Sequence, residues 1–240
     1  MSIDYSIIIP AWNEAKLLPK TLDYIEQSMS QQQLSGEIIV VDNNSSDETA
    51  ALAAAHGATV VFEPINQISR ARNRGVTVAN GRYLIFVDAD TLISPQLLRC
   101  ALDNLDENRC CGGGATVSFG LIEAPLARYL VKSWNWLATR LGLAAGCFIY
   151  TRADAYEAIG GFSEQVYASE EIWLSRDLRR WGKKHNYQFC IISDYQSVSS
   201  ARKMEWFGPF QQLLLLLMLL IFPYAVRFRR LCNFWYKRPE

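Results

Sequence analysis

Tyr83-Leu84-Ile85-Phe86-Val87 runs straight into Asp88-Ala89-Asp90-Thr91, five apolar or aromatic residues followed by two carboxylates separated by one alanine. A short β-branched and aromatic run, opened by Gly81 and followed by Pro95, reads as a buried strand. If the extended backbone persists past Val87, Asp88 and Asp90 project the same way, ~6–7 Å apart along the chain. Two carboxylates converging at the end of a buried strand are costly unless a positive charge sits between them. A divalent cation carrying a substrate phosphate meets that need with hard oxygen ligands. The competing reading is a solvated turn in which Asp90 caps the next helix.

The elements upstream place these acids on a rim. Ser6-Ile7-Ile8-Ile9-Pro10 reads as a first strand stopped by proline. Leu18, Leu22, Ile25 and Met29 form one stripe of the helix after it, with Pro19 tolerable only near its first turn. Gly36 breaks the chain before a second strand, Ile38-Ile39-Val40-Val41-Asp42. Asn43-Asn44 then turns it, Ser45 and Glu48 form a capping box, and the helix so started ends at Gly57. Thr59 to Phe62 is a third strand, and a helix from about Ser69 to Asn80 ends at Gly81.

The order β-α-β-α-β-α-β, with continuous apolar strands, demands a parallel sheet covered on both faces. Ligands bind such sheets outside the carboxyl ends of the strands. That rule gathers Pro10 to Glu14, Asp42 to Asn44 and Asp88 to Asp90 on one rim. No G-x-G-x-x-G follows the first strand and no G-x-x-x-x-G-K-[ST] occurs, which argues against a dinucleotide enzyme or a P-loop nucleotidase.

Downstream, Pro95 to about Asn108 reads as a helix, and Gly112-Gly113-Gly114 introduces a strand, Ala115 to Phe119. Residues 121 to 142 mix Tyr129, Trp134 and Trp136 with Arg128, Lys132 and Arg140, the pattern of an amphipathic helix beside a pocket or of plain core packing. Ala145 to Thr151 is a strand and Ile159 to Phe162 a turn. Ser169-Glu170-Glu171 opens a helix carrying Leu174, Leu178 and Trp181 to Gly182.

The 240 residues, half of them hydrophobic, suffice for one well-packed domain. The 24 basic and 24 acidic side chains balance, so nothing in the charge calls for nucleic acid. Six cysteines show neither C-x-x-C nor zinc spacing, and most sit in apolar runs, which suits buried free thiols in a reducing compartment. Met1 to Tyr5 lacks the pattern of a signal peptide.

Four ordered blocks make the chain resemble the family 2 glycosyltransferases of the GT-A type. They are Pro10-Ala11-Trp12-Asn13-Glu14; Val40 to Asp47; Ala71-Arg72-Asn73-Arg74-Gly75 leading to Asp88-Ala89-Asp90; and Gly160-Gly161-Phe162 followed by Glu170-Glu171. The resemblance implies a GT-A-like, Rossmann-type α/β fold: a mostly parallel sheet with helices on both faces. Residues 1–205 would form the transferase domain, its nucleotide-binding half at about 1–95 and its acceptor half at about 96–205. It implies metal-dependent transfer of a sugar, with inversion, from a nucleoside diphosphate donor of UDP or GDP type to an acceptor hydroxyl or phosphate.

By the same resemblance Pro10, Ala11, Asn13 and Glu14 line the nucleotide pocket, with Asp42 and Asn43 near base and ribose. Arg72 supports the diphosphate side, with Arg70 a weaker candidate. Asp88, Ala89 and Asp90 form the D-x-D motif, whose acids hold Mg²⁺ or Mn²⁺, Asp90 foremost. The acceptor's proton goes to a general base. In the family this is the second acid of a Glu-Asp pair, here Glu171, with Glu170 as the other candidate; without the resemblance, the two acids simply favour a helix N-terminus. Arg202, in Ser199-Ser200-Ala201-Arg202, closes over the diphosphate or belongs to a surface loop. His185 is a minor candidate metal ligand. Asp47, Glu48 and His56 read as structural or surface residues.

Phe207 to Val226 carries no charged residue, and Arg227, Arg229, Arg230, Lys237 and Arg238 follow among aromatics. Basic and aromatic flanks beside an apolar stretch suit an interfacial anchor. Residues 206–240 therefore read as an apolar, helical, membrane-associating tail at the cytoplasmic face of an inner membrane, or as a buried helix or oligomer contact. The tail favours a lipid-linked acceptor over a soluble one. A nucleotide-sugar-binding protein without turnover is the rival from another class.

Overall fold

The computed structural model describes residues 3–120, 125–202 and 226–232. One eight-stranded sheet runs through it in the order β3-β2-β1-β4-β7-β6-β8-β5. Its first half is built from β1 (Tyr5–Ala11), β2 (Gly36–Asp42), β3 (Thr59–Phe62) and β4 (Tyr83–Val87), all parallel. Between them come α1 (Leu18–Met29), α2 (Thr49–Ala55) and α3 (Ile68–Val76).

The second half holds β5 (Thr91–Leu92), α4 (Pro95–Asp106), β6 (Cys110–Ser118), α5 (Pro125–Leu141), β7 (Phe148–Arg152), α6 (Ala153–Ala158), α7 (Glu170–His185) and β8 (Gln188–Ser199). Here the sheet is mixed rather than mostly parallel: β7 runs antiparallel to β4 and β6, and β5 antiparallel to β8, while β6 and β8 are parallel. A strand buried on both faces is apolar throughout whichever way it runs, so its direction does not show in its residue types.

Alternation along β1 explains the two covered faces. Ile7 and Ile9 pack with Leu22 and Ile25 of α1 and Leu98 and Leu102 of α4. Ile8, facing the other way, packs with Ala71 of α3 and Leu174 and Leu178 of α7. Close approach of α3 to the sheet requires Gly75: a Cβ there would stand 2.4 Å from Ile8 Cγ2.

Several boundaries differ from those read in the residue string. Pro10 does not stop β1, because its missing N–H is tolerated at the strand's end, one residue before Ala11. The triple glycine lies inside β6, where a Cβ on Gly113 would meet the Cys190 carbonyl at 1.9 Å. Gly182 stays within α7, which closes instead at Asn186 in the left-handed region (φ 61°). No Ser45–Glu48 capping box forms. Asp47 takes the role, its Oδ1 accepting from the Thr49 N–H at 3.0 Å, and Ser45 Oγ accepts from the Asn13 N–H.

Cys110 and Cys190 are joined in a disulfide, against the reading of all six cysteines as free thiols. The parallel pairing of β6 with β8 brings together residues 80 apart in sequence. Cys100, Cys111 and Cys147 are free thiols, and the Cys232 thiol donates to the Val226 carbonyl.

Most of the expected tail, 206–225 and 233–240, lies outside the described residues. Of the rest, Val226 and Cys232 are buried against Val166 and Ala168, and the Val226 carbonyl accepts from the Tyr167 N–H at 2.6 Å. Among the described residues no helix is long and apolar enough to cross a membrane.

Candidate active site

The rim derived from strand order exists as a set of interlocked strand ends. Asn13, in the left-handed region at φ 51°, accepts from the Ser46 N–H at 2.8 Å. Asp42 Oδ1 accepts from the Ser45 N–H at 3.0 Å, so the ends of β1 and β2 are tied through one loop. Thr49 Oγ1 accepts from the Glu14 N–H at 2.8 Å and fixes that residue's backbone. Pro10 and Ala11 stand in β1 opposite Val41 and Asp42, and the buried Ala89 offers its carbonyl to Thr21.

Asn43, expected near base and ribose, has its carboxamide engaged within the chain. Its amide nitrogen donates to the Glu63 and Ile65 carbonyls, and its oxygen accepts from the Gln67 N–H. A carboxamide so engaged holds the β3–α3 loop. Arg70 is likewise occupied, by Glu63 and Glu164.

Asp88 and Asp90 do not continue an extended strand. β4 ends at Val87, and the Thr91 N–H donates to the Asp88 carbonyl at 3.0 Å, closing a turn. The two acids consequently meet different arginines.

Arg72 forms the inner clamp. Its Nη1 donates to Glu170 Oε1 at 2.7 Å, and its Nη2 donates to Asp88 Oδ1 at 2.9 Å and to the Gly146 carbonyl at 2.8 Å. Its guanidinium lies 5.0 Å above the Phe162 ring, which Asn73 locks by accepting from the Phe162 N–H. Only 1% of Arg72 is exposed, and its guanidinium meets the rim at Asp88, the acid it holds. Burial pulls against its charge, but Asp88, Glu170 and Glu171 outweigh that and hold it more firmly protonated than usual.

Arg202 forms the outer clamp. Pairing of Thr91 with Ser199 carries the end of β8 onto Asp90. The Ser200 N–H donates to the Asp90 carbonyl and its hydroxyl to Asp90 Oδ2. Arg202 then bridges Asp90 Oδ2 and both oxygens of Glu14, each at 2.8 Å. Arg202 is thus not part of a surface loop; it joins the first loop of the chain to its last described strand.

Glu170 and Glu171 open α7, where the helix dipole favours both charges. They are not equivalent. Glu170 is buried and spent on Arg72, whereas Glu171 lies beside Gly146, where a Cβ would stand 3.7 Å from its carboxyl carbon and 3.5 Å from Arg72 Nη2. Burial, then the neighbouring Glu170 charge, pushes the Glu171 carboxyl up to about 8. A carboxyl so raised is suited to proton transfer near neutral pH. His185 is remote from this role, its Nδ1 bonded to the Trp181 carbonyl at the far end of α7.

Reading the residues alone missed Ser200 as a partner of Asp90 and the Gly146 carbonyl as a partner of Arg72. The serine left a faint signal, standing in the quoted Ser199-Ser200-Ala201-Arg202 step. The carbonyl left none, because any residue supplies one.

The family model for glycosyl transferase family 2 matches residues 6–160. The chain belongs to glycosyl transferase family 2. Among family relatives, the glycosyltransferase AglE of Haloferax volcanii is 26% identical over 183 residues, which cover 71% of this chain and 60% of that protein. The dolichyl-phosphate beta-glucosyltransferase of Drosophila melanogaster is 33% identical over 102 residues, covering 37% of this chain and 31% of that one. This family 2 chain thus spans less than two thirds of these relatives' length. The solved mannosyltransferase PcManGT of Pyrobaculum calidifontis, in complex with GDP-Man and Mn²⁺, superposes with a TM-score of 0.63 at 21% identity, covering 84% of this chain and 58% of that one. At that identity the likeness is one of fold.

Proposed function

We propose that this family 2 chain transfers a sugar from a nucleoside diphosphate sugar to an acceptor hydroxyl or phosphate with inversion, Glu171 being the general base. The observation that carries this reading is the place of Glu171 beside Gly146 and next to the Arg72 clamp, which ties the neighbouring Glu170 to Asp88; burial there pushes the Glu171 carboxyl up. The nucleotide side is assigned to residues of about 1–95, Pro10, Ala11, Asn13, Glu14 and Asp42 among them, and the acceptor side to about 96–205.

Mg²⁺ or Mn²⁺ fits the donor set. Among the described residues no three His, Cys, Asp or Glu groups gather as a ready-made cage. Asp88 and Asp90 are partly buried hard-oxygen donors at the rim, 26% and 13% exposed, and Mg²⁺ in particular is usually held by one or two carboxylates plus substrate phosphates. When bound, the cation neutralises charge that builds on the departing diphosphate. Asp90 and Asp88 would hold it. Arg72 orients Asp88 from behind, Glu170 fixes Arg72, and Glu171 accepts the acceptor's proton.

A lipid-linked acceptor is the finer reading. It draws support from the apolar stretch 207–226 and from a relative whose name specifies dolichyl phosphate. A thermal-shift panel of nucleoside diphosphates and their sugars, with and without Mn²⁺, tests the donor. The melting temperature should rise with one diphosphate sugar and Mn²⁺ together, and Asp90→Ala should abolish the part that depends on Mn²⁺. No shift with any diphosphate would remove the reading.

A further inference from the structure

We propose that the outward face of α5 is a docking surface for an anionic lipid bilayer. The helix has two settled sides. Inward, Ala138 is buried and Trp134 packs against Val117, Ala145 and Cys147. Asn135 clasps both backbone groups of Val117 at 3.0 and 2.8 Å. Outward, at helical spacing, lie Tyr129, Lys132, Trp136, Leu137 and Arg140. Tyr129 and Trp136 are 68% and 61% exposed, an unusual setting for two large aromatic rings. With Lys132 and Leu137 they border an open hollow of ≈ 500 Å³.

Charge selects the occupant. Pro125 to Leu141 contains Arg128, Lys132 and Arg140 and not one acid. Among the described residues no ion pair engages these three bases; Arg140 instead stacks over the Trp136 ring at 5.4 Å. A protein partner's apolar face would match the rings and leave the cations unmatched. Headgroup phosphates match the cations while the rings enter the interfacial layer, as on interfacial helices.

Position gives the surface a use. The turn after α5 supplies the Gly146 carbonyl to Arg72 and the Cys147 carbonyl to the Asp88 N–H at 3.2 Å. A bilayer on α5 would therefore lie one turn of chain from the acid cluster. The docking itself does not rest on the transferase reading, although a lipid-linked acceptor would give it purpose.

The test compares the full wild-type chain with a full-length Tyr129→Ser, Lys132→Glu, Trp136→Ser, Arg140→Glu variant in co-sedimentation with vesicles of phosphatidylglycerol and phosphatidylcholine. These four side chains point away from the core, so melting temperature and any turnover on a short soluble acceptor should hold. The wild type should partition onto anionic vesicles, more weakly in high salt and on phosphatidylcholine alone. The variant should partition at least about tenfold less. Equal partition of the two chains would overturn the proposal, since residues 206–240 are common to both. So would a wild-type dimer that ignores vesicles and dissociates in the variant, which would make the face a contact between copies. Absence of sugar transfer with vesicle binding intact would sink the transferase reading and leave this one standing.

Discussion

Two arginines hold the same rim, and they hold it in different ways. Arg72 is enclosed, with Glu170 at 7% and Arg72 itself at 1% side-chain exposure, and its three acceptors come from α7, the Asp88 turn and the loop before β7. Arg202 is 20% exposed and reaches Glu14 and Asp90 from the end of β8. A buried ion pair tolerates loss of a partner badly, because the remaining charge is left uncompensated in a low dielectric. The partners of Arg202 are also largely buried, Glu14 at 8% and Asp90 at 13%, so the difference lies in the arginine itself, which is open enough to trade a partner for water or for another ion more readily. The inner clamp therefore sets where Asp88 and Glu170 stand, and on the proposed reading the outer clamp is the part better able to yield when a charged donor enters.

The contrast breaks most sharply at the acid beside the inner clamp. Glu171→Gln should lower turnover by about 10²–10⁴-fold, the usual contribution of a general base, measured under saturating donor and acceptor. Next comes Arg72→Met, which strands Glu170. It should lower unfolding stability by about 3–5 kcal/mol in urea titration, with Glu170→Gln added to Arg72→Met recovering part of the loss. Equal stability of Arg72→Met and wild type would erase the distinction between the clamps. Arg202→Met, the outer counterpart, leaves Glu14 and Asp90 without their cation and should cost roughly 1–3 kcal/mol, less than Arg72→Met, while altering donor affinity.

A dependence on pH follows as well. The folded-state value of Glu171 lies above its unfolded one, so the native state retains the proton longer and stability declines as pH rises from about 4.5 through about 8. Glu171→Gln removes that decline. Without donor, the variant should melt with the wild type near pH 4 and above it near pH 9, by scanning calorimetry.

The parallel half of the sheet was legible because β-α-β repetition forces strand direction once each strand reads as buried. Ile8 against Ala71, and Ile7 against Leu22, follow from that alternation. The rim was legible for the same reason. Its inner wiring was not. Whether Asp88 and Asp90 face one way depends on where β4 ends, and a turn one residue after Val87 divides them between two arginines. The partnership of Arg202 with Glu14 spans 188 residues, a contact that local pattern cannot carry. Cys110 and Cys190 escaped for the same reason, their proximity being a product of β6–β8 register.

The most direct test of the account is donor binding and transfer measured side by side in Glu171→Gln. The account predicts that the variant binds the nucleoside diphosphate sugar with Mn²⁺ within about twofold of wild type while transfer falls at least about a hundredfold. Transfer within a factor of a few of wild type would contradict it and return Glu171 to the role of a helix-opening acid.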